Sequence, residues 1–392
     1  MNTALIRQVN LARVFHALRE HPDSSQRELA AVTGLDKATV SAVVAQLEAQ
    51  GLIIRTPRHG NGRVGRPEVP LRLSPQAGLF VGVRLEPATI RLIATELDGS
   101  IIERLQVEGS RDVGDAILRL HQAVEELLGR CRRTMAEVRG IGVGVPGLMD
   151  KGGNLVLAPN LGWRDEPILQ FLRERFSAPV YVDNDTKAAA LAEKLFGLAR
   201  DADDFLVIAG HSGIGGALFL NGALYRGASG VAGEVGHLEV VAGGRRCGCG
   251  KQGCLEAYTS ENAILTRLAE AGRALPDLAA VAAAAAQGDM VVRRVIDETG
   301  DYLGIAIANL INTLNPALVI LGGNLAWVAQ YLIPRIEQVM ARVVLEAPRA
   351  SVRLVISPLG IEQVPMGGVA LALDGFVSLP GRFPELSVGQ LR

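Results

Sequence analysis

Apolar residues recur at helical spacing near the start of the chain, within residues 25–55. Thr33 and Gly34 divide this pattern into two helices, because glycine permits the positive φ of a tight turn. Ser24 or Ser25 is placed to cap the first helix and Asp36 the second. The predicted inward residues are Leu29, Ala30 and Val32 in the first helix and Val40, Val43, Val44 and Leu47 in the second. This arrangement is typical of a helix-turn-helix.

A β-hairpin is predicted directly after these helices. The stretches GLIIRT and VPLRLS have strand composition, and a glycine-rich segment, PRHGNGRVGRPE, joins them. Five arginines and one acidic residue lie between Arg55 and Arg72. Helix, turn, helix and hairpin follow one another within about 50 residues, which is the order of a winged helix. We therefore predict a winged helix-turn-helix DNA-binding domain over residues 1–74.

The candidate DNA contacts lie on the second helix and on the hairpin. The polar positions outside the apolar face of that helix are Lys37, Thr39, Ser41 and Gln46. In the hairpin the candidates are Arg63 and Arg66, and the extended Gly65-Arg66-Pro67 segment suits a narrow minor groove. The alternative is a small helical domain that contacts proteins and carries a basic loop.

From Gly78 onward, strand patterns alternate with helical patterns in two successive sets. Two α/β units of this kind favour two lobes around a cleft. We predict a first lobe over 75–186 plus 366–392 and a second over 187–365. The segments that join them lack a serine- or proline-rich linker, so close packing of the lobes is expected.

Composition narrows the class of protein. Of the 392 residues, 48% are hydrophobic and 21% charged, as in a well-packed globular protein. Residues 1–74 carry 10 Lys and Arg against 6 Asp and Glu, so the overall charge of −1 leaves −5 for the rest. No apolar run approaches the roughly 20 residues that span a bilayer, so we expect a cytoplasmic protein without a membrane partner.

One short segment concentrates the metal-ligating residues. His237, Cys247, Cys249 and Cys254 lie within 18 residues, whereas the fourth cysteine, Cys131, is remote. One imidazole and three thiolates complete a tetrahedral Zn²⁺ site with no position open for water, which indicates a structural metal. Redox-active thiols or a disulfide are the alternative.

Five motifs spread over the chain resemble those of the ROK family of repressors and sugar kinases. They are GVGVPG (142–147), PNLGW (159–163), DND (183–185), GEVGH (233–237) and CGCGKQGCLE (247–256). The resemblance implies an actin-like, hexokinase-like ATPase fold with two lobes, and the added winged helix matches the repressor branch, which includes xylose and N-acetylglucosamine repressors. It also implies self-association as a dimer or tetramer, and the histidine falls at the family's zinc ligand.

The resemblance further implies a sugar site. Its residues are Asn160, Asn184, Asp185, Glu234, His237 and Glu256. Carboxylates and amides suit this ligand, because sugar hydroxyls both donate and accept hydrogen bonds. His237 is expected to serve both sites, with one ring nitrogen on zinc and the other toward the sugar. In a ROK kinase, Asp185 would be the general base.

The phosphate loops depart from the family pattern. Arg84, Glu86 and Pro87 stand where the family has an aspartate followed by glycines, and His211 replaces a glycine of the second loop beside Ser212. An acidic residue repels a triphosphate, and proline has no N–H to donate. Only Gly322 and Gly323 remain as expected. We therefore predict poor ATP binding and no kinase activity.

Together these features favour a transcriptional repressor whose affinity for operator DNA is controlled by a sugar. Two alternatives remain open: a sugar kinase with a regulatory DNA-binding domain, and a regulator whose body docks a transport protein. The sugar itself is not predictable, because the same few residue types bind xylose, glucose and N-acetylated hexosamines.

Overall fold

The computed structural model describes residues 3–56, 69–159, 161–211 and 213–377. The N-terminal unit contains three helices and a two-stranded antiparallel hairpin. Its elements are α1 (Thr3–Glu20), α2 (Gln26–Thr33), α3 (Lys37–Ala49), β1 (Ile53–Arg55) and β2 (Leu71–Leu73). The predicted helix-turn-helix and hairpin strands are thereby confirmed, and α1 is an additional helix. Arg63 and Arg66 lie outside the described residues.

Local hydrogen bonds explain where α2 and α3 begin. Ser25 caps α2: its hydroxyl accepts from the Glu28 N–H, and the Glu28 side chain accepts from the Ser25 N–H. Asp36 caps α3 by accepting from the Thr39 N–H at 2.9 Å. Both predicted caps are confirmed, with Ser25 and not Ser24 in the first position.

The inward assignment of Val32 is wrong, because this side chain is 56% exposed. Thr33 is buried instead, together with Leu29. The Thr33 hydroxyl donates to the Leu29 carbonyl oxygen at 2.6 Å, so its polar group is satisfied within the helix. Thr33 therefore takes the core-facing position that the apolar pattern assigned to Val32.

The capping bonds lead to a test of stability in the N-terminal unit. We expect Ser25→Ala to lower the free energy of unfolding by about 1 kcal/mol, because it removes a capping acceptor. Ser24→Ala is the matched control, since the Ser24 hydroxyl donates to the His21 carbonyl oxygen at 2.7 Å and caps no helix. Urea unfolding of the full chain measures both; equal effects would contradict the assignment of the cap.

The next unit is built on a five-stranded sheet with the strand order β10-β6-β3-β4-β5. Strands β3 to β5 form an antiparallel meander, and β6 and β10 add in parallel. The elements are β3 (Leu79–Leu85), β4 (Thr89–Thr95), β5 (Ile101–Glu108), α4 (Val113–Cys131), β6 (Val138–Val145), β7 (Leu148–Met149), β8 (Leu155–Ala158), β9 (Trp163–Glu166), α5 (Ile168–Arg175), β10 (Val180–Asn184) and α6 (Asp185–Leu195). Strands β7 to β9 form a separate small sheet.

The last unit has a five-stranded sheet of order β13-β12-β11-β14-β15. It repeats the previous topology, with a meander of three strands followed by two parallel additions. Its elements are β11 (Phe205–Gly210), β12 (Ile214–Leu220), β13 (Ala223–Tyr225), α7 (Glu256–Thr259), α8 (Glu261–Glu270), α9 (Leu278–Ala286), α10 (Met290–Leu314), β14 (Leu318–Gly323), α11 (Ala329–Val343), α12 (Glu346–Ser351), β15 (Arg353–Ile356) and α13 (Gln363–Val377).

Helices α6 and α13 pack against each other between the two large sheets. Their close approach to the first sheet depends on glycine: a Cβ at Gly142 would collide with the carbonyl oxygen of Gly368. One buried apolar cluster contains residues of both helices, both sheets and the N-terminal unit.

The lobe boundary predicted after residue 186 falls in the first turn of α6, and the lobe limits stay a prediction. Among the helices of the described ranges, none is both long and apolar enough to cross a membrane.

Candidate functional site

A polar cavity lies between the two large sheets. It encloses about 660 Å³, including open solvent at its mouth. Five of the six predicted sugar-site residues line it, and they are Asn184, Asp185, Glu234, His237 and Glu256. The sixth, Asn160, lies outside the described residues, although its neighbour Pro159 is part of the wall.

Two of these residues stand where β10 ends and α6 begins. The Asn184 side chain caps α6, since its Oδ1 accepts from the N–H groups of Thr186 and Lys187, both at 3.0 Å. Its Nδ2 donates to the Gly147 carbonyl oxygen at 3.0 Å, which fixes the side chain. Asp185 is buried, and burial raises the pKa of its carboxyl while nearby Arg84 lowers it. The cavity wall is therefore formed by the first turn of a helix.

The two glutamates approach from the other sheet unit. Glu256 Oε2 accepts from the Ile214 N–H at 3.0 Å, and its Oε1 lies 3.6 Å from Cys247 Sγ, so this cavity-lining carboxylate also contacts the cysteine loop. The pKa of Glu234 is raised to about 7: burial raises it most, Lys187 lowers it, and the carboxylates of Asp185 and Glu256 add to the increase. Three carboxyl groups thus share one partly buried site, where hydroxyl groups are suitable partners because they supply donors.

Next to the cavity, His237, Cys247, Cys249 and Cys254 form a compact cluster. Their ligand atoms all lie within 4.8 Å of one another. Cys249 Sγ is 3.8 Å from Cys254 Sγ, and Cys247 Sγ is 3.8 Å from His237 Nδ1. Tetrahedral Zn²⁺ with Zn–S bonds of about 2.3 Å places its sulfur ligands about 3.8 Å apart. The donor set and the spacing fit a metal ion, whereas a disulfide needs sulfurs about 2.05 Å apart.

A short loop brings the three cysteines together. The Cys247 N–H donates to the Lys251 carbonyl oxygen at 2.8 Å, and the Gly250 N–H donates back to the Cys247 carbonyl oxygen at 3.0 Å. This turn needs glycine at position 250, where φ is +91°. Cys254 immediately precedes Leu255 and Glu256, so the cluster and the cavity wall share one loop.

His237 joins the cluster to the cavity. Its Nδ1 faces Cys247, and its Nε2 lies 4.0 Å from Glu234 Oε2. A histidine that binds a metal through one nitrogen orients its other nitrogen toward a second partner. The dual role of His237 toward a metal and a sugar stays a prediction.

Two side chains at the predicted phosphate loops, Arg84 and His211, are buried. Arg84 is only 1% exposed, and its Nη2 donates to Glu86 Oε1 at 2.6 Å. His211 is also buried, and its ring packs directly on Gly323. Burial, followed by Arg84 and Arg91, lowers the pKa of His211 well below its usual value, so this ring is neutral. Ser212 lies outside the described residues.

The candidate DNA contacts on α3 lie outside the buried face of the helix. Lys37, Ser41 and Gln46 are exposed, while Thr39 is half-buried. The Thr39 hydroxyl donates to Asp36 Oδ2 at 2.6 Å, so its proton is used by the helix cap. Three of the four side chains thus have all their polar atoms free for a ligand.

Sequence reasoning missed two contacts that hold the cavity together. Arg226 donates to Asp183 Oδ2 at 2.5 Å, and the buried Lys187 ammonium donates to the Gly230 carbonyl oxygen. Both join the end of β10 and the start of α6 to the loop that leads to Glu234. Asp183 belongs to the DND motif, so its importance could have been predicted from the sequence. No sequence signal marks Arg226 or Gly230 on the distant loop as partners.

Fold and site together define a class of protein: a winged helix joined to an α/β body of two sheet units, with a polar cleft and a loop whose histidine and cysteines could hold a metal ion. Residues 80–374 match the model of the ROK family, and residues 11–63 match the model of the MarR family. The chain belongs to the ROK family.

Three similar proteins extend this comparison. The putative xylose repressor of Caldicellulosiruptor sp. (strain Rt8B.4) is 32% identical over 97% of this chain and 99% of its own length. A ROK family transcriptional regulator described as a homolog of the E. coli MLC protein has a TM-score of 0.80 and 30% identity, over 95% of this chain and 97% of its own. A ROK family glucokinase from Streptomyces griseus, solved with glucose and AMPPNP, has a TM-score of 0.68 and 28% identity, over 76% of this chain and 99% of its own.

Proposed function

We propose that this chain is a sugar-responsive transcriptional repressor of carbohydrate-utilisation genes. The observation that carries the proposal is the joining of a winged-helix unit and a polar interlobe cavity through one buried core. Similarity over nearly the full length to a protein named as a repressor supports this conclusion. The likeness to the glucokinase extends over 76% of the chain.

The DNA-binding part of the proposal rests on the exposed face of α3. Lys37, Ser41 and Gln46 reach operator bases or phosphates in the major groove, and the hairpin arginines Arg63 and Arg66 contact the adjacent minor groove. A homodimer presents two such units to a palindromic operator.

The sugar occupies the cavity. Asp185, Glu234 and Glu256 accept hydrogen bonds from its hydroxyls, and the second Nδ2 proton of Asn184 donates to one of them. His237 Nε2 and Asn160 complete the set. The effector is therefore a monosaccharide whose adjacent hydroxyls match this arrangement.

The His237 and cysteine cluster holds a structural Zn²⁺. Its four protein ligands leave no open coordination position, so the ion supplies rigidity rather than catalysis. It fixes the loop before Glu256 and orients His237 toward the cavity. Metal binding thereby shapes one wall of the sugar site.

Sugar binding draws the two sheet units together and changes the spacing of the winged helices in the dimer. An operator accepts only one half-site separation, so the shifted dimer binds it less tightly. Fluorescence anisotropy with the zinc-loaded protein and DNA from upstream of its own gene tests this proposal, with D-xylose, D-glucose and N-acetyl-D-glucosamine as titrants. Release by one sugar is expected; tight DNA binding that none of them alters would contradict the proposal.

The repressor proposal and the kinase alternative predict different outcomes with ATP. We expect no ADP formation with Mg²⁺, ATP and the sugar that binds, because the Arg84 and Glu86 pair and the His211 ring occupy the phosphate region. A coupled assay measures ADP release. Turnover that Asp185→Asn abolishes would instead establish a sugar kinase with a regulatory DNA-binding domain.

A further inference from the structure

Helix α6 leads from the cavity to the N-terminal unit. Asp185 and Thr186 at its start line the cavity, and Leu195 at its end lies in the same apolar cluster as Leu18 of α1. All eleven residues of the helix are buried. At a rise of about 1.5 Å per residue, the helix bridges roughly 16 Å between the two places.

Arg19 of α1 contacts the C-terminal end of α6. Its side chain is 2% exposed, and its Nη1 donates to the Leu195 carbonyl oxygen at 2.9 Å. Its guanidinium carbon lies 5.2 Å from the centre of the Phe196 ring, a cation–π distance. The last carbonyls of a helix lack partners within the helix and carry partial negative charge, so a buried cation is favourable here.

The contact is reinforced by aromatic packing on α13, the neighbour of α6. The Phe376 ring lies 6.3 Å from the Phe15 ring of α1 and 5.7 Å from the Phe80 ring of β3. The N-terminal unit is therefore docked on the two central helices through apolar and polar contacts. A displacement of α6 is transmitted to α1 through this interface, because close-packed interiors do not deform continuously.

We propose that Arg19 is a positioning residue that couples the sugar cavity to the DNA-binding unit through α6. This inference rests on the proposed function. Sugar bound against Asn184 and Asp185 shifts the start of α6, and the hold of Arg19 on its end carries the shift into α1. Arg19 touches neither ligand, so its removal leaves both sites in place and weakens only their mutual influence.

The test compares wild type, Arg19→Met and Arg13→Met as zinc-loaded, full-length proteins. Methionine retains most of the aliphatic stem of arginine and removes its donors. Arg13 is the matched control, because it lies on the same helix and donates to the Thr33 carbonyl oxygen within the N-terminal unit at 2.8 Å. Operator Kd is measured with and without saturating sugar, and sugar Kd without DNA, using whichever of D-xylose, D-glucose and N-acetyl-D-glucosamine binds the wild type.

We expect sugar to change operator Kd in the wild type by about 5- to 150-fold, the usual range of coupling between sites. In Arg19→Met this factor falls at least fivefold; if the wild-type factor is itself below five, it falls to one. The operator Kd without sugar and the sugar Kd without DNA each stay within threefold of the wild-type values. Arg13→Met retains the full factor, and Arg19→Lys, which keeps the charge, recovers part of it.

Full coupling in Arg19→Met would overturn the role of Arg19 and leave the repressor function standing. No effect of any sugar on operator binding by the wild type would overturn both. If Arg19→Met loses operator binding altogether, Arg19→Lys decides, since it lacks the planar group over Phe196; undiminished coupling in that variant would overturn the proposal.

Discussion

We expect Cys254→Ser to abolish binding of the proposed Zn²⁺ and to lower the free energy of unfolding by about 4 kcal/mol. An ion that binds only the folded state, and is present at about 1,000 times its Kd, stabilises that state by this amount. The remaining His237, Cys247 and Cys249 cannot close a tetrahedron, and the loop before Glu256 loses its anchor. Sugar binding weakens with it, because the loop forms part of the cavity wall.

Metal content and unfolding measured on the same preparations test this expectation. Cys131→Ser is the matched control, since Cys131 lies on α4 and outside the cluster. The control retains one ion per chain, and Cys254→Ser retains almost none. Destabilisation of the wild type by a reducing agent but not by a chelator would favour the disulfide alternative.

Asp185→Asn weakens sugar binding by about 10- to 150-fold. Hydrogen bonds to charged groups contribute about 1.5–3 kcal/mol, and the amide replaces one acceptor oxygen by a donor. Asp185 is buried at the start of α6 and lines the cavity, so its contacts with a bound sugar are shielded from bulk solvent. We expect this substitution not to lower the free energy of unfolding, because burial disfavours the carboxylate and a neutral amide carries no such penalty.

Calorimetric titration with the sugar measures this effect. Asp297→Asn is the matched control, since Asp297 is exposed on α10 and does not line the cavity. The control binds sugar as the wild type does, and both variants bind operator DNA as tightly as the wild type in the absence of sugar. Unchanged sugar affinity in Asp185→Asn would remove this residue from the binding site.

Local patterns account for what the sequence predicts correctly. The caps at Ser25 and Asp36 depend on residues three positions apart, and the three cysteines lie within one short loop, so nearby letters carry the signal. Val14, Phe15 and Leu18 recur at helical spacing, and this pattern was the sequence signal from which α1 could have been predicted.

Contacts between distant segments are what the sequence does not reveal. Arg226 meets Asp183 across 43 positions, and Arg19 meets Leu195 across 176. Each pair joins units whose relative placement depends on the packing of α6 and α13, which no local pattern encodes. Val32 shows the same limit on a smaller scale, because the orientation of α2 is set by its neighbours.

Sugar and operator DNA are expected to oppose each other's binding to this chain. Thermodynamic linkage requires the effect to be reciprocal, so the factor by which sugar weakens operator binding must equal the factor by which operator weakens sugar binding. The direct measurement is the Kd of the sugar, by calorimetry, with the protein free and with the protein saturated by operator. We expect sugar to bind the operator complex more weakly by that same factor, and equal sugar affinities for the two forms would show that sugar does not control operator binding.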